Sequence, residues 1–271
     1  MFLQVETNTN CNFSCWFCPN SRFPKKQARH MKMELFKLIV DNYLDYAPKD
    51  TAPLVSFADY NEPTLDPLFK ERLLYLTSKD VYYWYISNCS NSDVRMLNFL
   101  RDNKIKLSNV QLNIPSGDPE KLASLVGTSL REAEKTLDNL KRIIEFKPYI
   151  NANVSIAIHS YTPEDIQEFH QLVGNEAEVV HAGVFNRAGY LDDVPGIKHN
   201  TYHLSCSIGN PENIYVDVDG KMFLCCNDYN KETVYGNATD IKRSVESFER
   251  EEQLVELQKK LCINCVYANP V

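Results

Sequence analysis

Through its first two thirds the chain alternates short runs suited to β-strands with longer runs of helical period, and that alternation leaves few folds open. The strand-like runs are Phe2–Thr7, Leu54–Ala58, Val81–Ser87, Leu107–Asn113, Ala152–His159 and Ala177–Phe185. Apolar residues recur at helical spacing over Lys32–Leu44, Pro67–Thr77, Ser92–Asp102, Ser129–Phe146 and Pro163–Val173. Ser92 and Thr162 stand where a side-chain oxygen takes up a free backbone N–H, so they are expected as N-caps. Strands that return through a helix pair in parallel, because such a connection is long enough to cross back over the sheet. The expected fold is α/β, either an open doubly wound sheet or a curved partial barrel. In both, chemistry gathers at the carboxyl ends of the strands.

After Gly189 the pattern changes. Tyr190–Tyr202, with Pro195, Gly196 and two adjacent aspartates, reads as a linker. Ile214–Asp217, a turn at Asp219-Gly220 and Lys221–Cys225 predict a β-hairpin, since Asp-Gly favours a tight turn. A polar helix is expected over Ser244–Lys260. The division is thus 1–189 and 190–271, and the second part is small enough to need a metal centre as a staple.

The net charge is −7, and no basic run exceeds pairs such as Lys25-Lys26 and Lys259-Lys260. That balance argues against nucleic acid as partner, because such binding rests on phosphate neutralisation. No stretch approaches the roughly 20 apolar residues of a membrane span. The first residues lack a basic run followed by an apolar one, so no signal peptide is expected and the location is cytoplasmic. Nine cysteines are many for such a protein, where disulfides are rare. They fall in groups: Cys11, Cys15, Cys18; Cys89; Cys206, Cys225, Cys226; Cys262, Cys265. Close spacing suits thiolates converging on a metal centre better than a disulfide framework.

Cys11-Asn12-Phe13-Ser14-Cys15-Trp16-Phe17-Cys18 follows directly on the first strand. Three thiolates on a short loop hold three irons of a 4Fe–4S cube and leave the fourth open to a chelating ligand. Structural zinc usually takes four ligands, and the next candidate, His30, is twelve residues on. The C-x3-C-x2-C spacing with an aromatic residue before the last cysteine resembles the signature of the radical S-adenosylmethionine (SAM) superfamily. The resemblance implies a partial (β/α)6 barrel and a cluster that binds SAM through its open iron. It also implies cleavage of SAM to a 5′-deoxyadenosyl radical and a one-electron reductant such as flavodoxin or ferredoxin. Phe17 would face SAM. Tyr60-Asn61-Glu62-Pro63 matches the segment whose backbone receives the SAM amino group, although Tyr60 and Asn61 replace glycines there. Ser87-Asn88 ends the third strand where relatives carry Thr-Asn-Gly, with Cys89 at the glycine. Asn113 and Ser116 follow the fourth strand, near the family's contacts to the SAM ribose and carboxylate.

Cys206, Cys225, Cys262 and Cys265 resemble the ligand set of the twitch domain, a shortened SPASM domain appended to many members of this superfamily. That implies a small hairpin-plus-helix domain with one auxiliary 4Fe–4S cluster; zinc on the same four thiolates is the alternative. Cys89 and Cys226 are left over, and unused thiols usually serve as small buried hydrophobes. Cys226, beside a ligand, is also a candidate hydrogen-atom donor. Asn186-Arg187-Ala188-Gly189 resembles an Asn-Arg-Gly-Gly segment of twitch-type dehydrogenases that act on aminocyclitols, which implies that Arg187 touches substrate oxygen. The function expected is oxidation of an alcohol on a small-molecule substrate, with the auxiliary cluster as electron acceptor. The alternatives are a radical peptide-modifying enzyme (epimerase or cross-linking maturase) and a non-catalytic iron–sulfur or zinc module.

Overall fold

A computed structural model describes residues 1–24, 27–150, 152–158, 163–174, 176–181, 184–194, 213–248, 256, 257 and 261. Six strands lie side by side in the order in which the chain visits them: β1 (Phe2–Val5), β2 (Leu54–Phe57), β3 (Tyr82–Ser87), β4 (Leu107–Asn113), β5 (Asn153–Ile158) and β6 (Glu178–His181). Every neighbouring pair among them is parallel. Strand order that never reverses is that of a partial barrel; a doubly wound sheet would turn back at a switch point. The structure thus has the partial barrel that the resemblance implies, and not the doubly wound sheet that the alternation by itself also allows.

Local composition accounts for the elements. β3 is Tyr-Tyr-Trp-Tyr-Ile-Ser, and aromatic and branched residues favour the pleated, half-buried surface. β5 buries all but its first residue, as expected for a strand covered on both faces. α1 (Met33–Tyr46) buries Phe36, Ile39, Val40 and Tyr43, one stripe of a 3.6-residue period. α2 (Phe69–Ser78), α3 (Val94–Asp102), α5 (Leu130–Ile150) and α6 (Pro163–Val173) fall on the expected helical segments, and α4 (Pro119–Val126) is an additional helix. The N-cap of α3 is Asp93, not Ser92: the Asp93 carboxylate accepts from the Met96 amide at 3.0 Å, one residue later than expected. Thr162 lies outside the described residues. Arg72 of α2 is fully buried. It donates to Asp66 at 2.7 Å and to the Met31 carbonyl, and lies 4.8 Å from the Phe36 ring centre.

The expected hairpin forms as β7 (Asn213–Val216) and β8 (Lys221–Phe223), which run antiparallel. Asp217 accepts from the amides of Asp219 and Lys221, and Gly220 takes φ +83 at the turn. β7 pairs in parallel with β1, and a further strand, β9 (Val234–Asn237), pairs with β8. The hairpin therefore extends the barrel's own sheet to nine strands, in the order β6-β5-β4-β3-β2-β1-β7-β8-β9. α7 (Ile241–Phe248) starts three residues before the expected tail helix; most of 249–271 lies outside the described residues. No helix among the described residues is long and apolar enough to cross a membrane.

Candidate active site at the barrel mouth

The segments singled out by sequence follow the carboxyl ends of successive strands. The cysteine loop follows β1, Tyr60–Pro63 follows β2, Asn88 follows β3, Asn113 and Ser116 follow β4, and Arg187 follows β6. Hydrogen bonds lace them together. Asn8 donates to the Glu62 carbonyl at 3.2 Å, and the Glu62 amide to the Asn10 carbonyl at 2.8 Å. Asn88 donates to Asn12 at 2.9 Å while its amide nitrogen stands 4.0 Å from the Cys11 sulfur, and Asn12 donates to Ser90 at 3.0 Å. α4 braces the loop from behind: the Ser14 and Trp16 amides donate to the Val126 and Leu125 carbonyls at 2.8 and 3.2 Å.

Glu62 is buried and accepts four hydrogen bonds: from the Thr64 amide and hydroxyl, the Ser87 hydroxyl at 2.9 Å and the Asn88 amide at 2.7 Å. Burial raises its carboxyl, and those bonds oppose the rise. One carboxylate thus joins the β2 and β3 ends. Cys89 takes φ +66, a left-handed angle that suits the glycine expected there from the motif resemblance. Its side chain is buried in the main core, in line with the small-hydrophobe expectation. Ser116 is buried, and its hydroxyl accepts from the Asp118 amide at 3.1 Å, so it shapes the start of α4. Asn113 receives the Gln111 side-chain amide at 3.4 Å.

Burial pushes the Cys11 thiol up to about 12 and lifts Cys15 well above its ordinary range. Each feels Cys18, Cys15 also feels Cys11, and every such charge acts in the same direction. Three thiolates at this place call for compensating positive charge, which iron supplies. Among the described residues no three Cys, His, Asp or Glu side chains gather as closely as one bound ion demands. Three cysteines of one short loop suit a cube with one open position, each thiolate meeting its own iron, whereas structural zinc usually takes four protein ligands. The residues therefore fit a 4Fe–4S cluster. Phe17 is buried beside the last of these cysteines, edge-on to Trp16 at 5.9 Å.

Across the mouth stands the turn Asn186–Gly189. Arg187, Ala188 and Gly189 take φ +51, +56 and +94, and the amides of Gly189 and Leu191 donate to the Asn186 carbonyl. Left-handed angles at Arg and Ala cost energy, so surrounding structure holds this turn in place. The Asn186 side chain assists by donating to Asp192 at 2.8 Å. The tail reaches over the mouth beside it. Tyr229 donates toward Asn20 at 2.8 Å and bonds the Phe23 carbonyl, and its ring meets Tyr60 at 5.0 Å. Lys231 forms an ion pair with Asp59; their side chains are 11% and 1% exposed, so the pair is buried. Cys226 is half-buried and within electrostatic range of Arg187. A hydrogen bond from Cys225 holds the Cys226 thiol low, at about 7, against the effect of burial. A cavity of about 290 Å³, lined by Ala188, Gly189, Tyr190, Asp192, Glu232 and Thr233 among others, separates the turn from the tail.

Of the four expected auxiliary ligands, Cys225 is buried and its sulfur accepts from the Asn227 amide at 3.3 Å. Cys206, Cys262 and Cys265 lie outside the described residues. Sequence reading passed over Asn8, Asn12, Asn20, Asp59, Tyr229 and Lys231. Asn12 and Asn20 had a signal, standing within and just after the cysteine motif. Asp59 and Lys231 meet across 172 positions, and no local pattern marks them.

Strand ends that present three thiols, a Glu-Pro segment and an Asn on one parallel partial barrel define a class. A model of the radical SAM superfamily matches residues 5–173, and the chain belongs to that superfamily. It is accordingly an enzyme of SAM and a 4Fe–4S cluster. It is 26% identical over 244 residues to the S-adenosyl-L-methionine-dependent 2-deoxy-scyllo-inosamine dehydrogenase of Niallia circulans, which covers 87% of this chain and 77% of that protein. The fold is also that of BtrN crystallised with AdoMet and 2-DOIA, with TM-score 0.54, 22% identity, and coverage of 96% of this chain and 87% of that one. Streptococcus suis SuiB bound to its precursor peptide SuiA superposes with TM-score 0.69 at 12% identity, over 97% of this chain and 69% of SuiB.

Proposed function

We propose that this protein is a radical SAM oxidoreductase that oxidises an alcohol on a small polyol or aminocyclitol to a ketone. The observation that carries the reading is Arg187, held by a strained turn over the mouth that the cysteine loop also faces. Similarity to a dehydrogenase of 2-deoxy-scyllo-inosamine supports the same substrate class. When bound, the cluster and SAM supply a carbon-centred radical able to take a hydrogen atom from the carbinol carbon. Cys11, Cys15 and Cys18 hold that cluster; the Tyr60–Glu62 backbone, Phe17, Asn88, Asn113 and Ser116 line the SAM site. Arg187 presents its guanidinium to the substrate oxygen and favours the charge that develops there as the hydroxyl proton passes to water. Cys206, Cys225, Cys262 and Cys265 would hold an auxiliary cluster, which would supply an acceptor for the remaining electron. A flavodoxin or ferredoxin is the proposed reductant. Residues 190–271 form the twitch part in this scheme, joined to the barrel sheet through β7.

The test is anaerobic reconstitution and incubation with SAM, dithionite and 2-deoxy-scyllo-inosamine. Formation of 5′-deoxyadenosine with a matching amount of ketone supports the reading; 5′-deoxyadenosine without ketone removes the substrate class. Cys226, beside Arg187, favours a second reading in which a thiol returns a hydrogen atom to a substrate radical in peptide epimerisation. Cys226→Ala separates the two: oxidation is expected to survive it, and thiol-dependent epimerisation would stop.

A further inference from the structure

Tyr60 stands where the superfamily motif carries glycine, and its backbone place near SAM accounts for no side chain at all. The structure gives that side chain a location. The ring is packed edge-on against Tyr229 at 5.0 Å, and the Lys231 ammonium lies 5.8 Å from its centre. Asn20 donates to the Tyr60 carbonyl at 2.9 Å, which ties the residue to the cysteine loop. Tyr60 is 7% exposed, yet its hydroxyl is buried without a hydrogen-bond partner. Arg187, Cys226, Asp59 and Cys18 all lie within electrostatic range of that hydroxyl. It is therefore set between the cysteine loop on one side and the Arg187 turn and tail on the other. A buried hydroxyl with no partner is costly, and this one sits between the cysteine loop and the Arg187 turn, where a bound ligand would complete it.

We propose that the Tyr60 hydroxyl is a hydrogen-bonding contact to an oxygen-rich or amino-bearing substrate, and a specificity-determining group of the barrel mouth near Arg187. The hydroxyl both donates and accepts, so beside the donor-only guanidinium it gives the site an acceptor for a substrate O–H or N–H. Discrimination against a substrate lacking that group follows, because the buried hydroxyl would stay unsatisfied. The proposal rests on the barrel mouth being the substrate site, as the proposed function has it.

Tyr60→Phe removes one oxygen and keeps the ring packing. Two measurements on the reconstituted holoprotein decide the matter. The first is the affinity of SAM-loaded, unreduced protein for 2-deoxy-scyllo-inosamine, which should weaken roughly tenfold for one lost buried hydrogen bond. Unchanged affinity, or an equal loss in SAM affinity, overturns the proposal. The second is the thermal midpoint without substrate, which needs no knowledge of the ligand. A hydroxyl reserved for a ligand leaves the midpoint unchanged or raised by roughly 2–4 °C when deleted; a drop of that size marks a structural hydroxyl and overturns it. Should wild-type protein not bind the aminocyclitol, the substrate class of the proposed function fails, and the midpoint alone decides Tyr60.

Discussion

At the scale of single residues the site depends on groups whose hydrogen-bonding is fully committed. Both carboxylate oxygens of Glu62 act as acceptors, toward Thr64, Ser87 and the Asn88 amide. Glu62→Gln turns one acceptor into a donor facing donors. The expected cost is about 1–3 kcal/mol for the group left unsatisfied, with weaker SAM binding as the β2 and β3 ends separate. Thermal melts and SAM titration measure both, and a variant that melts and binds like wild type would refute the bracing role. The Glu-Pro pair was legible as part of a motif. What its carboxylate holds was not, because Ser87 and Asn88 lie 25 and 26 positions away. Cys89 shows the opposite case: its glycine-like position was evident from the motif, and the left-handed angle supplies the reason.

Among the elements, α4 matters most for the site and was not anticipated, though its signals were present. Asp118 caps it by accepting from the Lys121 amide at 2.7 Å, Pro119 opens it, and Gly127 closes it at φ +63. At eight residues it is too short for periodicity to stand out. Its last carbonyls hold the cysteine loop, and a side chain on Gly127 would meet the Ser14 Cβ and carbonyl at 3.1 Å. Gly127→Ala therefore combines left-handed strain with pressure on that loop. A loss of about 1–2 kcal/mol is expected, together with faster loss of iron from the reconstituted protein during gel filtration. Retention of iron equal to wild type would show that α4 does not position the loop.

For the whole molecule, the tail and the barrel form one sheet and share one mouth. β7 continues the barrel from β1, and the Tyr229 and Lys231 contacts bring the segment after Cys226 over the site. With the proposed auxiliary cluster beside the SAM-binding one, about eight irons per chain are expected. Replacing Cys11, Cys15 and Cys18 together by alanine should leave about four, with SAM cleavage abolished. Iron analysis beside zinc analysis reads this directly: four irons and one zinc in the wild type would assign Cys206, Cys225, Cys262 and Cys265 to zinc.

The alternation of strand and helix and the spacing of three cysteines were enough to place this chain on a parallel α/β sheet with a metal centre after its first strand. Both are short-range patterns, set by the two-residue and 3.6-residue periods of the backbone and by the reach of a short loop. Tertiary structure alone decided that the hairpin joins the barrel sheet, and that Tyr60 packs against Tyr229 beside the buried Asp59–Lys231 pair. Those outcomes depend on contacts between residues far apart in the chain, such as the 172 positions between Asp59 and Lys231, and separation of that kind leaves no periodic trace in a sequence.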